Sequence, residues 1–96
     1  MIHIAERLTP DRVRPGDRYY KDTVTFEVVE VNKTADIRGL AIYIIAYRIR
    51  DRVGNREFVS PVAHIFVTAN DDVKKHIEKV VDDYLRLRNQ LLSTIR

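Results

Sequence analysis

The chain lacks several features on which whole classes of function depend. Its 96 residues include no cysteine, which excludes a disulfide framework and thiolate chemistry. No apolar run approaches the roughly 18 residues of a membrane-spanning helix. The N-terminus, MIHIAERL, has no basic region followed by an apolar region, so we expect no signal peptide. Together these absences predict a cytoplasmic protein.

Catalytic and metal-binding motifs are also missing from the sequence. His3, His64 and His76 are far apart and match no ligand spacing, so we expect no metal site. The three glycines form no phosphate-binding loop, and no serine stands in a nucleophile motif. The pairs Asp71-Asp72 and Asp82-Asp83 fall on a predicted helix, where adjacent side chains diverge and cannot share a proton. We expect a protein that is not an enzyme and needs no cofactor.

Size and charge set looser limits on the protein. Residues 1–96 make one domain with a modest core, and so short a chain often completes its core by oligomerising. The net charge of +3 is mildly basic, but acidic residues are interleaved throughout, so total charge alone does not predict a nucleic-acid partner. Arginine outnumbers lysine, and glutamine occurs once. That composition is typical of proteins that work at high temperature, so we expect a thermostable protein.

The pattern of apolar residues divides the chain into three parts and predicts an α+β fold. Residues 1–22 form an N-terminal segment, residues 23–68 an antiparallel sheet of three to four strands, and residues 70–95 a long C-terminal helix. The predicted strands are Thr23–Val31, Leu40–Asp51 and Glu57–Thr68, and Ile2 and Ile4 could add a short edge strand. The doubling at Val28-Val29 shifts the alternation, as a β-bulge does.

A two-residue turn at Gly54-Asn55 sets the expected register of the last two strands. The expected pairs are Arg52–Glu57, Tyr43–Phe66, Ile45–His64 and Tyr47–Val62. One face of the sheet is then aromatic, with Tyr43 and Tyr47, and the other is aliphatic around Ile44. We expect the aliphatic face to meet the helix. Pro61 has no N–H to donate, which indicates an edge or a bulge at that position.

The C-terminal segment has the spacing of a helix that begins after Asn70, a good N-cap, and runs to about Ile95. Its apolar residues recur with heptad-like spacing, and a second apolar stripe lies beside them. The combined arc is wider than a small sheet should cover, which favours an oligomer, although a single wide face could also pack within the monomer. The residues expected at an oligomer interface are Ile77, Val80, Tyr84, Leu87 and Leu91.

Two segments combine basic and aromatic residues, as binders of single-stranded nucleic acid require. Aromatic rings stack on bases, and guanidinium groups bind phosphates in bidentate fashion. The first segment holds Arg12, Arg14, Arg18, Tyr19, Tyr20 and Lys21, and the second holds Tyr43, Tyr47, Arg48, Arg50, Arg52, Arg56, Phe58 and Phe66. The alternative is that the aromatic residues fill the core and that the arginines form a solvated edge that resists aggregation.

The aromatic strand LAIYIIAYRIR and the C-terminal helix NDDVKKHIEKVVDDYLRLRNQLL, after a short N-terminal segment, give a layout with a known counterpart. It resembles the ThermoDBP-related single-stranded DNA-binding proteins of thermophilic archaea. The resemblance implies a sheet-lined cleft with basic residues at its rim, and assembly through the long helices. It covers overall layout and composition, so it assigns no binding residue by position.

Sequence-tolerant binding of single-stranded DNA, or of RNA, by a homo-oligomer is therefore the leading prediction. The alternative is an assembly or adaptor subunit that binds protein through its C-terminal helix and has no nucleic-acid role. A third class, a small-ligand pocket, lacks a polar constellation in the sequence.

Overall fold

A computed structural model of the chain describes residues 7–34 and 38–94. It confirms the α+β class, with an antiparallel sheet followed by one long C-terminal helix. A short 3-10 turn at Pro10–Arg12 precedes the sheet. The elements are β1 (Arg18–Lys21), β2 (Val24–Lys33), β3 (Ile42–Val53), β4 (Arg56–Val59), β5 (Ala63–Thr68) and α1 (Val73–Thr94). The expected edge strand at Ile2 and Ile4, and the expected helix end at Ile95, lie outside the described residues.

The sheet has five strands with β3 at its centre. One side of β3 pairs with β2, and its other side pairs with β4 at one end and with β5 at the other. The sheet begins at Arg18 and not at residue 23, because the N-terminal segment supplies β1. A two-residue turn joins β1 to β2, with Asp22 at a φ of 54°. The sequence prediction missed this strand because RYYK shows no clear alternation of apolar and polar residues.

Two local features of the sheet were predicted correctly. The register of β2 against β3 shifts between Val28 and Glu30, which confirms the bulge. The turn at Gly54-Asn55 is also confirmed, since Arg52 lies opposite Glu57. Gly54 has a φ of 62°, the left-handed conformation that the first turn residue needs and that glycine adopts without strain.

The predicted register beyond this hairpin is wrong by one residue. Tyr43 lies opposite Val67, Ile45 opposite Ile65 and Tyr47 opposite Ala63. The shift arises at residues 60–62, where the expected strand Glu57–Thr68 divides into β4 and β5. Three residues, 60 to 62, face two residues of β3, 48 and 49. Pro61 has no backbone N–H to donate to β3. The side chain of the neighbouring Ser60 takes part instead, since its hydroxyl oxygen accepts a hydrogen bond from the Ile49 N–H at 2.8 Å.

The helix packs on the aromatic face of the sheet, so the expectation that it meets the aliphatic face is wrong. Val24 and Phe26 of β2 form the core together with Ile77 and Val81 of α1. Phe26 stacks on Tyr47 with ring centroids 4.5 Å apart. The first half of β2 decides which face is buried, because Val24, Phe26 and Val28 alternate with polar residues and all point one way. β3 is apolar on both faces and could not decide the question.

The helix begins two residues later than predicted, and Asp72 caps it in place of Asn70. Asp72 Oδ1 accepts hydrogen bonds from the Lys74 N–H at 3.2 Å and from the Leu8 N–H at 3.0 Å. This anchors the N-terminal segment to the first turn of α1. The 22 residues of α1 span about 33 Å. Its buried residues, Val73, Ile77 and Val81, fall in its first half, and Tyr84 and Leu85 pack partly against the core. Residues 89–94 are exposed, so the last turns of α1 extend past the core.

Candidate nucleic-acid interface

The sheet face opposite α1, called here the open face, carries no covering layer within the described residues. Residues directly opposite one another in an antiparallel pair point to the same face. The side chains that this rule places on the open face include Arg18, Tyr20, Glu27, Ile42, Ile44, Ala46, Arg48, Arg50, Arg52, Val59, His64 and Phe66. At the end where β5 pairs with β3 the face is largely apolar, with Glu30 and Asn32 of β2 beside it, and at the end where β4 pairs with β3 it is charged.

One carboxylate joins the two basic segments at the charged end. Glu27 Oε2 accepts a hydrogen bond from Arg18 Nη2 at 3.0 Å, and Glu27 Oε1 accepts one from Arg50 Nε at 3.1 Å. Partial burial alone would raise the pKa of Glu27, but the hydrogen bonds and charges of Arg50 and Arg18 hold that pKa below its usual value. The ionised carboxylate thus fixes two guanidinium groups side by side. Arg50 Nη1 also lies 3.8 Å from Glu57 Oε1, and the remaining N–H groups of both guanidinium groups can donate to another ligand.

Arg48 and Arg52 continue this cationic row along β3. Arg48, Arg50 and Arg52 occupy alternate positions of one strand, so the Cα atoms of successive arginines in this row are about 6.6 Å apart. Within the described residues, no ion pair or hydrogen bond holds the Arg48 guanidinium. Arg56 differs, because it lies opposite Val53 and therefore on the helix side of the hairpin tip.

Two aromatic rings stand free on the open face. Phe66 is 65% exposed and lies opposite Ile44 on the central strand. Tyr20 is 71% exposed and lies on the edge strand β1, opposite Thr25. Ile42 and Ile44 are half-buried on β3 beside Phe66, whereas Tyr20 lies at the Arg50 end of the sheet. The open face therefore combines stackable rings, an aliphatic floor and a row of guanidinium groups.

The other predicted aromatic site residues face α1. Tyr19 packs edge-on against Phe26 with ring centroids 6.3 Å apart, and burial raises its pKa. Tyr43 and Tyr47 pack against the core, and burial also raises the pKa of Tyr47. Phe58 stacks on Tyr84 of α1 at 5.9 Å. Tyr19, Tyr43 and Tyr47 are thus packed in the monomer core, and none of these four aromatic residues lies on the open face.

The remaining predicted basic residues of the first segment do not join the open face either. Lys21 points to the helix side and forms an ion pair with Asp82 at 2.5 Å. Arg12 and Arg14 lie before β1 and outside the sheet. Arg14 is held within its own turn by a hydrogen bond from Nη1 to the Asp11 carbonyl at 3.0 Å.

A buried polar network on the helix side was not predicted from the sequence. Asp51 is 2% exposed and accepts hydrogen bonds from Thr23 Oγ1 at 2.5 Å, Tyr84 OH at 2.5 Å and Arg88 Nη1 at 3.0 Å. Burial alone would raise the pKa of Asp51, but these hydrogen bonds and the Arg88 charge lower it. No buried side-chain nitrogen or oxygen in the described part of the chain lacks a hydrogen-bond partner, and the network ties Tyr84 and Arg88 of α1 to the sheet. Its one sequence signal is a lone acid among strand arginines.

The residues predicted for an oligomer interface fall into two groups. Ile77 is buried in the monomer core, Val80 packs partly against it, and Tyr84 belongs to the Asp51 network. Leu87 and Leu91, near the C-terminal end of α1, are 57% and 63% exposed. Of the five residues predicted for the interface, only these two leave large apolar side chains free for a partner.

Over residues 7–34 and 38–94, no group of three or more histidine, aspartate or glutamate side chains could hold a metal ion. The one described helix is not long and apolar enough to cross a membrane.

Comparison with protein-family models, with curated proteins and with solved structures finds no match to this chain. The resemblance to the ThermoDBP-related proteins therefore stays a prediction, and the functional argument depends on the residues themselves.

Proposed function

We propose that the open face binds single-stranded DNA, or RNA, without strong sequence preference. The observation that carries this proposal is the bridge at Glu27, which holds Arg18 and Arg50 side by side although they lie 32 positions apart in the chain. Arginines that served only solubility would need no such positioning. A preformed pair of guanidinium groups loses less conformational freedom when it binds a phosphate.

The arrangement suits a single strand better than a duplex. Unpaired bases can stack on Phe66 and Tyr20, and each stacked base contributes on the order of 1–3 kcal/mol. The row of Arg48, Arg50 and Arg52 can follow the phosphates along β3. Stacking and phosphate contacts accept any base, which is the reason to expect sequence tolerance.

Fluorescence anisotropy with a labelled oligothymidine tests the proposal. Contacts from Arg18, Arg48, Arg50 and Arg52 to four phosphates predict a log–log salt slope of about −2.8 for a single strand. Arg48→Ala should reduce that slope by about 0.7, because it removes one phosphate contact. Arg56→Ala is the matched control: it removes the same charge from the helix side of the tip and should leave the slope unchanged.

Absence of binding by the wild-type protein at low salt would overturn the proposal. Equal loss of affinity in the two variants would also overturn it, because binding would then follow net charge and not the open face.

Assembly through the second half of α1 is proposed as a companion property, and as the main function if nucleic acid does not bind. Its support is the exposure of Leu87 and Leu91, one helical turn apart on the part of α1 that leaves the core. Sedimentation equilibrium should find a homo-oligomer that becomes monomeric in the double variant Leu87→Glu, Leu91→Glu. A wild-type monomer would exclude self-assembly through this helix.

A further inference from the structure

A groove of about 740 Å³ runs between the edge strand β1 and the first half of α1. It borders the open face, because Arg18 and Tyr20 also line it, but it takes no part in the proposed nucleic-acid contacts of β3. Strand residues 18–21 form one wall, and helix residues between Asp72 and Val81 form the other. Its volume falls within the usual range of ligand pockets.

The strand wall of this groove is a sheet edge. Among the described strands, β1 pairs only with β2. The Val28 N–H donates a hydrogen bond to the Asp17 carbonyl at 2.9 Å, so Asp17 and Val28 form a hydrogen-bonded pair of the antiparallel ladder. Hydrogen-bonded and non-hydrogen-bonded pairs alternate along two antiparallel strands, so the backbone groups of Tyr19 and Lys21 also bond to β2. The backbone N–H and C=O groups of Arg18 and Tyr20 therefore point outward to the groove.

The helix wall is apolar at its base and cationic at its rim. Ile77 and Val81, both core residues, line the base. Lys74 and Lys75 line the rim, and no ion pair holds either ammonium group within the described part of the chain. One of the two helix acids that line the groove, Asp72, already accepts hydrogen bonds from two backbone N–H groups. Glu78 is the remaining acid.

We infer that this groove binds an extended acidic peptide, which adds a strand to the free edge of β1. Outward N–H and C=O groups match a polypeptide backbone, which is the basis of β-strand addition. Alternate apolar side chains of the peptide would pack on Ile77 and Val81, beneath the helix. Its acidic side chains would meet Lys74 and Lys75. A nucleic-acid strand has no N–H and C=O ladder to pair with this edge, so we assign it to the open face.

Fluorescence anisotropy with a labelled hexapeptide, Asp-Val-Glu-Val-Asp-Val, tests this inference on the full chain. Saturable binding is expected, and the double variant Lys74→Glu, Lys75→Glu should weaken it at least tenfold. The double variant Lys79→Glu, Arg86→Glu is the matched control, because it makes the same change of charge on the same helix, both residues pair with Asp83 and neither lines the groove. Arg48→Ala should also leave peptide binding unchanged.

A second peptide separates strand addition from charge attraction. The same hexapeptide with alternate backbone nitrogens methylated keeps its charge but cannot complete a ladder. It should bind at least tenfold more weakly. Equal binding of the two peptides would overturn the inference, and so would equal effects of the groove variant and of the Lys79→Glu, Arg86→Glu variant. Loss of oligothymidine binding in the groove variant, with no loss of peptide binding, would reassign the groove to nucleic acid.

Discussion

Replacement of Asp51 by Asn should remove a large part of the stability of this domain. The substitution keeps the shape of the side chain but removes its charge, and it turns an amide N–H₂ toward hydrogen-bond donors. Three donors converge on the buried Asp51 carboxylate, one of them from the Arg88 guanidinium. A hydrogen bond to a charged group contributes about 1.5–3 kcal/mol.

The expected loss follows from those contacts. Removal of one partner of a buried ion pair costs about 3–5 kcal/mol. Arg88 is 22% exposed and can regain water, so we expect the lower end, about 3 kcal/mol. A domain of this size has a total free energy of unfolding of roughly 5–14 kcal/mol. The variant should therefore lose a substantial fraction of the total, chiefly by releasing the second half of α1 from the sheet.

Urea unfolding at pH 7, followed by circular dichroism, measures this loss. Asp82→Asn is the matched control, since Asp82 holds only an exposed ion pair with Lys21 and its loss should not be measurable. The pH dependence provides a second readout. Because its pKa is lowered on folding, Asp51 contributes stability above pH 4, and this contribution disappears as the pH falls below about 4. The variant should lack that contribution. If the variant and the control unfold alike, the network does not anchor the helix.

Three further predictions address the network, a turn and the assignment of the two faces. Tyr84→Phe should lose about 1.5–3 kcal/mol by urea unfolding, because it removes a hydrogen bond to a charged group. Burial, and then the hydrogen bond to Asp51, raise the pKa of Tyr84 from 10.0 to about 12. The stability that this shift contributes is present below pH 10 and should decline as the pH rises through 12. Tyr84→Phe should lack this decline. Asp22→Gly should raise stability by about 0.5–1 kcal/mol, since Asp22 holds a φ of 54°, and an unchanged or lower Tm would contradict this. Phe26→Ala should cost about 3–5 kcal/mol and Phe66→Ala less than about 0.5 kcal/mol in urea, and similar losses would mean that the two faces have been assigned wrongly.

Local chemistry in the sequence predicts much of the fold. The bulge at Val28-Val29 follows from a doubled apolar residue, and the turn at Gly54-Asn55 follows from a glycine at the position that needs a positive φ. Heptad-like spacing predicts the helix, because every fourth or third residue returns to one side. Each of these signals depends on residues that are close together in the chain.

The errors come from decisions that depend on distant residues. The register of β5 depends on one extra residue at Ser60–Val62, which shifts every later pair. The buried face of β3 was set by its neighbour β2, since β3 itself is apolar on both sides. No local pattern could indicate that Asp51 would meet Arg88, which lies 37 positions later in the chain.

The candidate site was predicted in part. Arg18, Arg48, Arg50 and Arg52 share one face with Phe66 and Tyr20. The expected register had placed Phe66 opposite Tyr43, on the other face, so this part of the prediction is wrong. The tyrosines of the central strand belong to the core, because rings of that size fill the space under α1. Lys74 and Lys75 were not expected near β1, since the packing of a helix on an edge strand leaves no trace in either segment alone.

Affinity for a labelled oligothymidine at low salt, compared between two phenylalanine variants, tests the central claim most directly. Phe66→Ala removes a ring from the open face, and Phe58→Ala removes a ring from the helix side that is also exposed, at 46%. Loss of one stacked base, about 1–3 kcal/mol, predicts about 5- to 150-fold weaker binding for Phe66→Ala and no change for Phe58→Ala. Binding by Phe66→Ala that equals the wild type would contradict the claim that the open face receives the bases.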